Sequence, residues 1–259
     1  MKLTFEKYQG AGNDFILIDN RKNILKPGDR KRIKQLCDRR FGIGADGLMM
    51  LYDHKEVDFG MKYFNSDGYE GTMCGNGGRC IVMFAEKLKI IKQNTRFITN
   101  DGVHTAEITD TTVRLRMNDV KTIRKLKDSY FVDTGSPHYV TFRNDIDKID
   151  VYNEGRKLRN NHKFKPYGTN VNFVEVQKNG LSVRTYERGV ENETLSCGTG
   201  VVAAVIVAVY SGQIDSDNVQ VKTRGGILNV GFSTIDKSIF SDIILEGAAT
   251  FVFEGEVNV

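Results

Sequence analysis

Apolar positions along this chain fall into short runs broken by glycine-rich and polar turns, a pattern of many strands and few helices. Phe15-Ile16-Leu17-Ile18-Asp19 reads as a buried strand, entered from weakly alternating residues 2–8 through Gly10-Ala11-Gly12-Asn13-Asp14. Pro27-Gly28-Asp29 predicts the cap of a helix over about 30–40, with Ile33, Leu36 and Cys37 on one face. Strands follow at 48–52 and 58–64, the second ending in the turn Asn65-Ser66-Asp67-Gly68. The stretch Met73-Cys74-Gly75-Asn76-Gly77-Gly78-Arg79-Cys80 then opens a helix to about Lys89, and a hairpin turns at Asn100-Asp101-Gly102. A strand at 113–117 ends this first half.

Past Asn118 the plan restarts. Thr134-Gly135-Ser136-Pro137-His138 leads into a strand at 139–142, and a polar, charged helix or loop follows at 146–161. Strands are predicted at 169–176 and 181–186, the latter ending in Glu187-Arg188-Gly189. Cys197-Gly198-Thr199-Gly200 opens the apolar segment 201–209. Its β-branched residues suit a strand, but its length, the glycines before it and Ser211-Gly212 after it favour a buried helix. A hairpin at 219–230 and a strand-like tail at 243–259 complete the pattern.

The two halves repeat. Cys74-Gly75-Asn76-Gly77 and Cys197-Gly198-Thr199-Gly200 lie 123 residues apart, and each cysteine follows a glutamate, Glu70 or Glu193, by four residues. The same offset sets Gly12-Asn13-Asp14-Phe15 against Gly135-Ser136-Pro137-His138 and carries Asn65 to Arg188. This predicts two duplicated α/β domains: residues 1–118 with a returning strand at 249–259, and residues 119–248. Two such domains packed face to face would set the two thiols on opposite walls of a cleft, with helix starts offering backbone N–H groups to a carboxylate. One thiolate would then remove a proton from carbon and the opposite thiol would return one to the other face, inverting a stereocentre without a cofactor.

Composition narrows the alternatives. The 259 residues are 40% hydrophobic and 27% charged, ordinary for a globular protein, and a net charge of +4 from 37 basic and 33 acidic residues gives no basic stripe for nucleic acid. The N-terminus carries charges and no apolar leader. The longest apolar run is too short for a bilayer, so a cytoplasmic location with four reduced cysteines and no membrane association is expected. Cys37 and Cys80 read as core. Cys74 and Cys80 are six residues apart, a poor metal spacing, and no Cys-x-x-Cys or Schiff-base lysine is evident, so neither metal nor pyridoxal is expected. The loop 42–47 lies before a strand rather than after one, which argues against a dinucleotide fingerprint. His54, His104 and His162 sit in polar stretches and are expected to be exposed, while His138, directly after Pro137, is placed to aim into the cleft.

Over essentially its whole length the chain resembles the diaminopimelate epimerase family. The resemblance is carried by residues 10–15, 65–68, 74–80, 135–138, 186–189 and 197–200; the cysteine motifs alone would also fit the wider group of proline racemase-like enzymes. It implies two pseudo-symmetric domains, each a β-sheet wrapped around a central helix, with the active site in the interdomain cleft. It implies cofactor-independent epimerisation of LL- to meso-2,6-diaminopimelate, in lysine and peptidoglycan precursor synthesis, by a homodimer. Cys74 and Cys197 match the acid/base cysteines, the first acting on the LL form and the second on the meso form. His138 and Glu187 match residues that tune the thiols. Gly75, Asn76, Gly198 and Thr199 match groups that hold the reacting carboxylate, and Asn13, Asn65, Asn170, Glu187 and Arg188 match other substrate contacts. Three departures stand out: Gly47 where many members have glutamine, Ser136 in place of asparagine, and one extra residue in 189–193.

Overall fold

The computed structural model describes residues 2–258 and divides into two compact units, Met1–Leu115 with Gly247–Val259, and Arg116–Glu246. The boundaries lie two or three residues before those expected from the sequence.

The first unit contains β1 (Lys2–Gly10), β2 (Asn13–Asp19), α1 (Arg30–Cys37), β3 (Gly47–Tyr52), β4 (Phe59–Asn65), β5 (Glu70–Gly71), α2 (Gly75–Lys87), β6 (Asn94–Thr99), β7 (Gly102–Ile108) and β8 (Val113–Arg116). Pairing runs β1–β2 antiparallel, β2–β3 parallel, β3–β4 antiparallel, β4–β6 parallel and β6–β7 antiparallel. The run Phe15 to Ile18 is buried without a break because both faces of β2 are covered. Ile16, Ile18, Leu48 and Met50 pack with Ile33 and Leu36 of α1, while α2 lies against β1, β2, β3 and β7. Asp29 caps α1 by accepting from Arg32 N at 3.0 Å. The helix ends at Cys37, three residues short of the expected end, because Asp38 is extended at ψ 125° and its carboxylate accepts from Arg40 N and Phe41 N.

The second unit contains β9 (Ile123–Lys125), β10 (Tyr130–Asp133), β11 (Pro137–Phe142), α3 (Val151–Arg159), β12 (Asn170–Gln177), β13 (Gly180–Glu187), β14 (Asn192–Thr194), α4 (Gly198–Tyr210), β15 (Asn218–Thr223), β16 (Gly226–Ile235) and β17 (Ile239–Gly247). The pairing senses recur: β10–β11 antiparallel, β11–β12 parallel, β12–β13 antiparallel, β13–β15 parallel and β15–β16 antiparallel. The segment 146–161 resolves into a short 3-10 turn and α3, capped by Asp150, whose carboxylate accepts from Asn153 N. α4 is helical despite six β-branched residues among 201–209, all of which are buried. It contacts β10, β11, β12, β13, β15 and β16. Packing on every side of this helix outweighs an unfavourable propensity of tenths of a kcal/mol per residue. The last strand, β18 (Thr250–Asn258), returns to the first unit and pairs antiparallel with β1 from Lys2↔Asn258 to Gln9↔Thr250.

Strand register refines the repeat. Leu48 and Val171 correspond at an offset of 123, but their partners Phe64 and Tyr186 differ by 122. Asn65 therefore corresponds to Glu187 rather than Arg188, and the missing residue is recovered before Cys197.

Candidate active site

Each unit gathers its candidate residues at one end of its sheet. In the first, Asn13 begins β2, Gly47 begins β3 and Asn65 ends β4, with Phe15↔Gly47 and Gly47↔Asn65 in register. The start of α2 lies at the same end: Gly10 pairs with Asn13, and a Cβ on Gly10 would fall 3.0 Å from Asn76 O. Asn13 Nδ2 donates to Asp46 Oδ2 at 2.6 Å, and Arg39 ties Asp46 to Asp14. Asn65 is exposed and closes its turn by accepting from Gly68 N at 2.8 Å. At Gly47 a Cβ would stand 2.5 Å from the Tyr63 ring, so Tyr63 fills the space into which a longer side chain would project.

Cys74 is the N-cap of α2. Its backbone is extended (φ −111°, ψ 148°), and its half-buried Sγ accepts from Gly77 N at 3.3 Å. A sulfur at this place meets the backbone donors of the first helical turn and the positive end of the helix dipole, both of which favour thiolate. Gly77 lies directly over Met49: a Cβ there would approach Met49 Cε to 2.1 Å, so the methionine tip would have to move aside. Below the cap lies Arg79, which is fully buried. Its guanidinium donates to Gly75 O at 3.1 Å, to Asn76 Oδ1 at 3.0 Å and to Ala248 O at 3.3 Å. Burial lowers its pKa, opposed by the nearby cysteines, yet a guanidinium keeps its charge. Arg79 thus places a cation beneath the thiol and fixes the Asn76 amide.

In the second unit Cys197 caps α4 differently. Its backbone is also extended (φ −117°, ψ 110°), but the side chain makes no cap hydrogen bond, and Sγ lies 3.5 Å from Thr199 Oγ1. Thr199 Oγ1 is 3.0 Å from His138 Nε2, which is also 3.0 Å from Ser136 Oγ. His138 is the second residue of β11 and is fully buried. Burial, and next the charge of Arg188, push its pKa down to about 3, so the ring is neutral. Asn170 Nδ2 donates to Ser136 Oγ at 3.0 Å and to Pro137 O at 3.2 Å, and its Oδ1 accepts from Arg188 N at 2.8 Å. Ser136 therefore works as a link among Asn170, His138 and Thr199. Glu187 ends β13 half-buried, beside half-buried Arg188.

Cys37 and Cys80 are buried. Burial pushes the Cys37 thiol up to about 12 and raises that of Cys80 as well, so both stay protonated in the core. His104 is not exposed: it stacks on Phe97 and pairs with Asp101 at 3.0 Å. His54 is half-buried and only His162 is exposed. Among the described residues no group of three or more His, Cys, Asp or Glu side chains is placed to hold a metal ion, and no helix is long and apolar enough to cross a membrane.

Sequence reasoning passed over Arg79 and Asn172. Each carries a signal: Arg79 is a charge inside a run of small and apolar helix residues, and Asn172 an amide in the middle of an otherwise apolar strand.

The family model described as diaminopimelate epimerase matches residues 5–123 and 130–252. The chain belongs to the diaminopimelate epimerase family. A member from Flavobacterium psychrophilum is 50% identical over 251 residues, covering 96% of this chain and 97% of the relative. One from Chlorobaculum tepidum is 44% identical over 259 residues, covering 96% and 99%. Among solved structures, a phenazine biosynthesis protein of the PhzF family from Bacillus anthracis superposes with a TM-score of 0.78 at 14% identity, covering 100% of both chains. A hydroxyproline epimerase from Agrobacterium vitis gives 0.68 at 13% identity, covering 99% of this chain and 92% of that one. At such identities the likeness is one of fold, and it extends the family's two-unit architecture to more distant proteins.

Proposed function

We propose that this protein epimerises LL-2,6-diaminopimelate to meso-2,6-diaminopimelate at one α-carbon, using Cys74 and Cys197 as paired acid and base. The observation that carries the reading is the repeated placement of a cysteine as the N-cap of the central helix in each unit. A lone capping cysteine suits many chemistries; two at equivalent positions suit inversion. In the LL direction the Cys74 thiolate takes the α-proton, breaking C–H and forming S–H. The Cys197 thiol then gives its proton to the opposite face of the carbanion and is left as thiolate. The reverse direction exchanges the roles. Backbone N–H groups at Gly75, Asn76, Gly198 and Thr199 hold the reacting carboxylate and the negative charge that spreads onto it. Arg188 is the bidentate partner for the distal carboxylate, and Asn13, Asn65, Asn170 and Glu187 bind the remaining polar groups. His138 and Glu187 tune the thiols. We place the enzyme in the cytoplasm, as a homodimer, supplying lysine and peptidoglycan precursors.

The test is exchange of solvent deuterium into diaminopimelate, followed by mass spectrometry and by circular dichroism for inversion. Incorporation at one α-carbon is expected, with inversion lost in Cys74→Ala and in Cys197→Ala. Inversion at an undiminished rate in either variant would sink the two-base mechanism, and turnover of proline in place of diaminopimelate would favour a proline racemase-like activity.

A further inference from the structure

Asn172 has no part in the chemistry above, yet it sits fully buried on β12 in the middle of the Cys197 site. Its Nδ2 lies 3.1 Å from Tyr139 O and 3.0 Å from His138 Nδ1, and its Oδ1 accepts from Thr185 Oγ1 at 2.9 Å. The Tyr139 carbonyl can only accept, so the amide nitrogen must stand on that side. The same nitrogen faces Nδ1 as a donor, and Nδ1 must therefore accept through its lone pair. The ring proton is left on Nε2. Gly200 admits this arrangement, because a Cβ there would come 2.4 Å from Asn172 Oδ1.

From Nε2 the proton direction is set by two routes with the same end. The Nε2–H donates to Thr199 Oγ1 directly, or to Ser136 Oγ, whose hydroxyl stands 3.4 Å from Thr199 Oγ1. Either way the Thr199 oxygen receives a hydrogen bond and its own proton is turned toward Cys197 Sγ, 3.5 Å away. A chain of donors ending on sulfur favours the charged, basic form of the thiol.

We propose that Asn172 is a positioning residue that locks His138 in the Nε2–H tautomer and thereby aims the Thr199 hydroxyl at the Cys197 sulfur. This rests on the role of Cys197 proposed above. His138 then acts as a neutral donor, never as the base that deprotonates the thiol. A proton arriving on Nδ1 would have to break the Asn172 hydrogen bond and put a charge on a fully buried ring.

Two measurements test this on the full chain without any substrate. The first is the 15N spectrum of histidine-labelled protein, with His138 assigned by its loss in His138→Gln. The second is the pH dependence of iodoacetamide alkylation at Cys197, followed by peptide mass spectrometry, with Cys74 as the internal comparison. In the unmodified protein Nε2 is expected to carry the proton throughout the neutral pH range. In Asn172→Asp the carboxylate accepts, so the proton moves to Nδ1. In the uncharged Asn172→Leu both tautomers appear. In both variants the Cys197 profile shifts upward by about one pH unit, roughly a tenfold loss of thiolate at a fixed pH below the pKa, while the Cys74 profile stays in place. An Nδ1–H tautomer in the unmodified protein overturns the proposal even if neither variant folds. So does a Cys197 profile that moves in Asn172→Asp but not in Asn172→Leu, which would reduce the effect to added charge. Because neither readout uses diaminopimelate, failure of the proposed substrate would leave this result standing, and the reverse.

Discussion

The starts of α2 and α4 occupy equivalent places in two equivalent sheets, and they support their cysteines by opposite means. At α2 the sulfur itself caps the helix, accepting from Gly77 N, over a buried cation, Arg79. At α4 the sulfur makes no cap bond and instead faces a hydroxyl backed by a neutral imidazole. The register shows how the substitution was made. Phe15 and His138 share one position, with strand partners Gly47 and Asn170. Two residues further along β3 and β12, Met49 and Asn172 each lie under a glycine of the helix, Gly77 or Gly200. Val202 stands 123 residues after Arg79. A full charge beneath one thiol and a hydrogen-bond chain beside the other are two ways of favouring the charged form of a sulfur. A duplicated frame can keep its geometry while its electrostatics diverge.

The largest effect is expected from the cysteines. Cys74→Ser or Cys197→Ser should cut α-proton exchange by at least about 10³-fold, since a hydroxyl is too weak an acid for this role. Stability should separate the two sites: Cys74→Ala loses a cap worth about 1 kcal/mol and Cys197→Ala does not, as urea denaturation would reveal. Equal losses would mean that the two caps are alike after all.

Next comes the buried cation. Arg79→Met leaves buried acceptors at Gly75 O, Asn76 Oδ1 and Ala248 O, and should cost about 3 kcal/mol. Its counterpart Val202→Ala, fully buried in α4, loses only apolar contact and should cost about 2 kcal/mol. The Arg79 variant should also slow alkylation of Cys74, which the Val202 variant should not.

The imidazole adds a pH dependence at a position where the first unit has Phe15, which does not titrate. The folded pKa of His138, about 3, lies below its ordinary value of 6.5. Between those values the unfolded chain binds the extra proton, so stability is complete above pH 6.5 and falls as pH drops toward 3. The slope approaches roughly 1 kcal/mol per pH unit. His138→Gln should flatten that part of the stability profile, and an unchanged slope would assign the acid sensitivity to other groups. A further contrast concerns the helices as wholes. Met83, half-buried on the amphipathic α2, should tolerate alanine at about 1 kcal/mol. Ile206, fully buried in α4, should lose about 3 kcal/mol, by the cavity it leaves.

Much of this could be read from the chain because the repeat tied local motifs together. The Cys-Gly-x-Gly pairs marked both helix starts, and 201–209 was correctly a helix on length and flanking glycines against its β-branched composition. The short strands β9 and β14 were missed: three residues carry too little pattern to register. The Glu187 and Asn65 correspondence was also missed, because a fixed offset cannot see a residue lost in one loop and regained in the next. Asn172 escaped for another reason. Alternation marks a buried position but not which atom a buried amide will face, and the tautomer of His138 depends on Tyr139 O, a backbone group without any sequence signature. Arg79 was passed over because its burial rests on three carbonyl and amide acceptors, two of them backbone groups, that the sequence does not display.

One of those acceptors has a consequence for biosynthesis. Ala248 belongs to the segment that returns after the second unit to add β18 beside β1. The second unit is a single contiguous stretch and has all of its strands once residue 247 has left the ribosome. The first unit, although translated earlier, must wait with an unpaired edge on β1 and one donor of its buried guanidinium unsatisfied. The half of the protein made first is therefore the half that matures last, and the setting of Cys74 is completed only by the end of the chain.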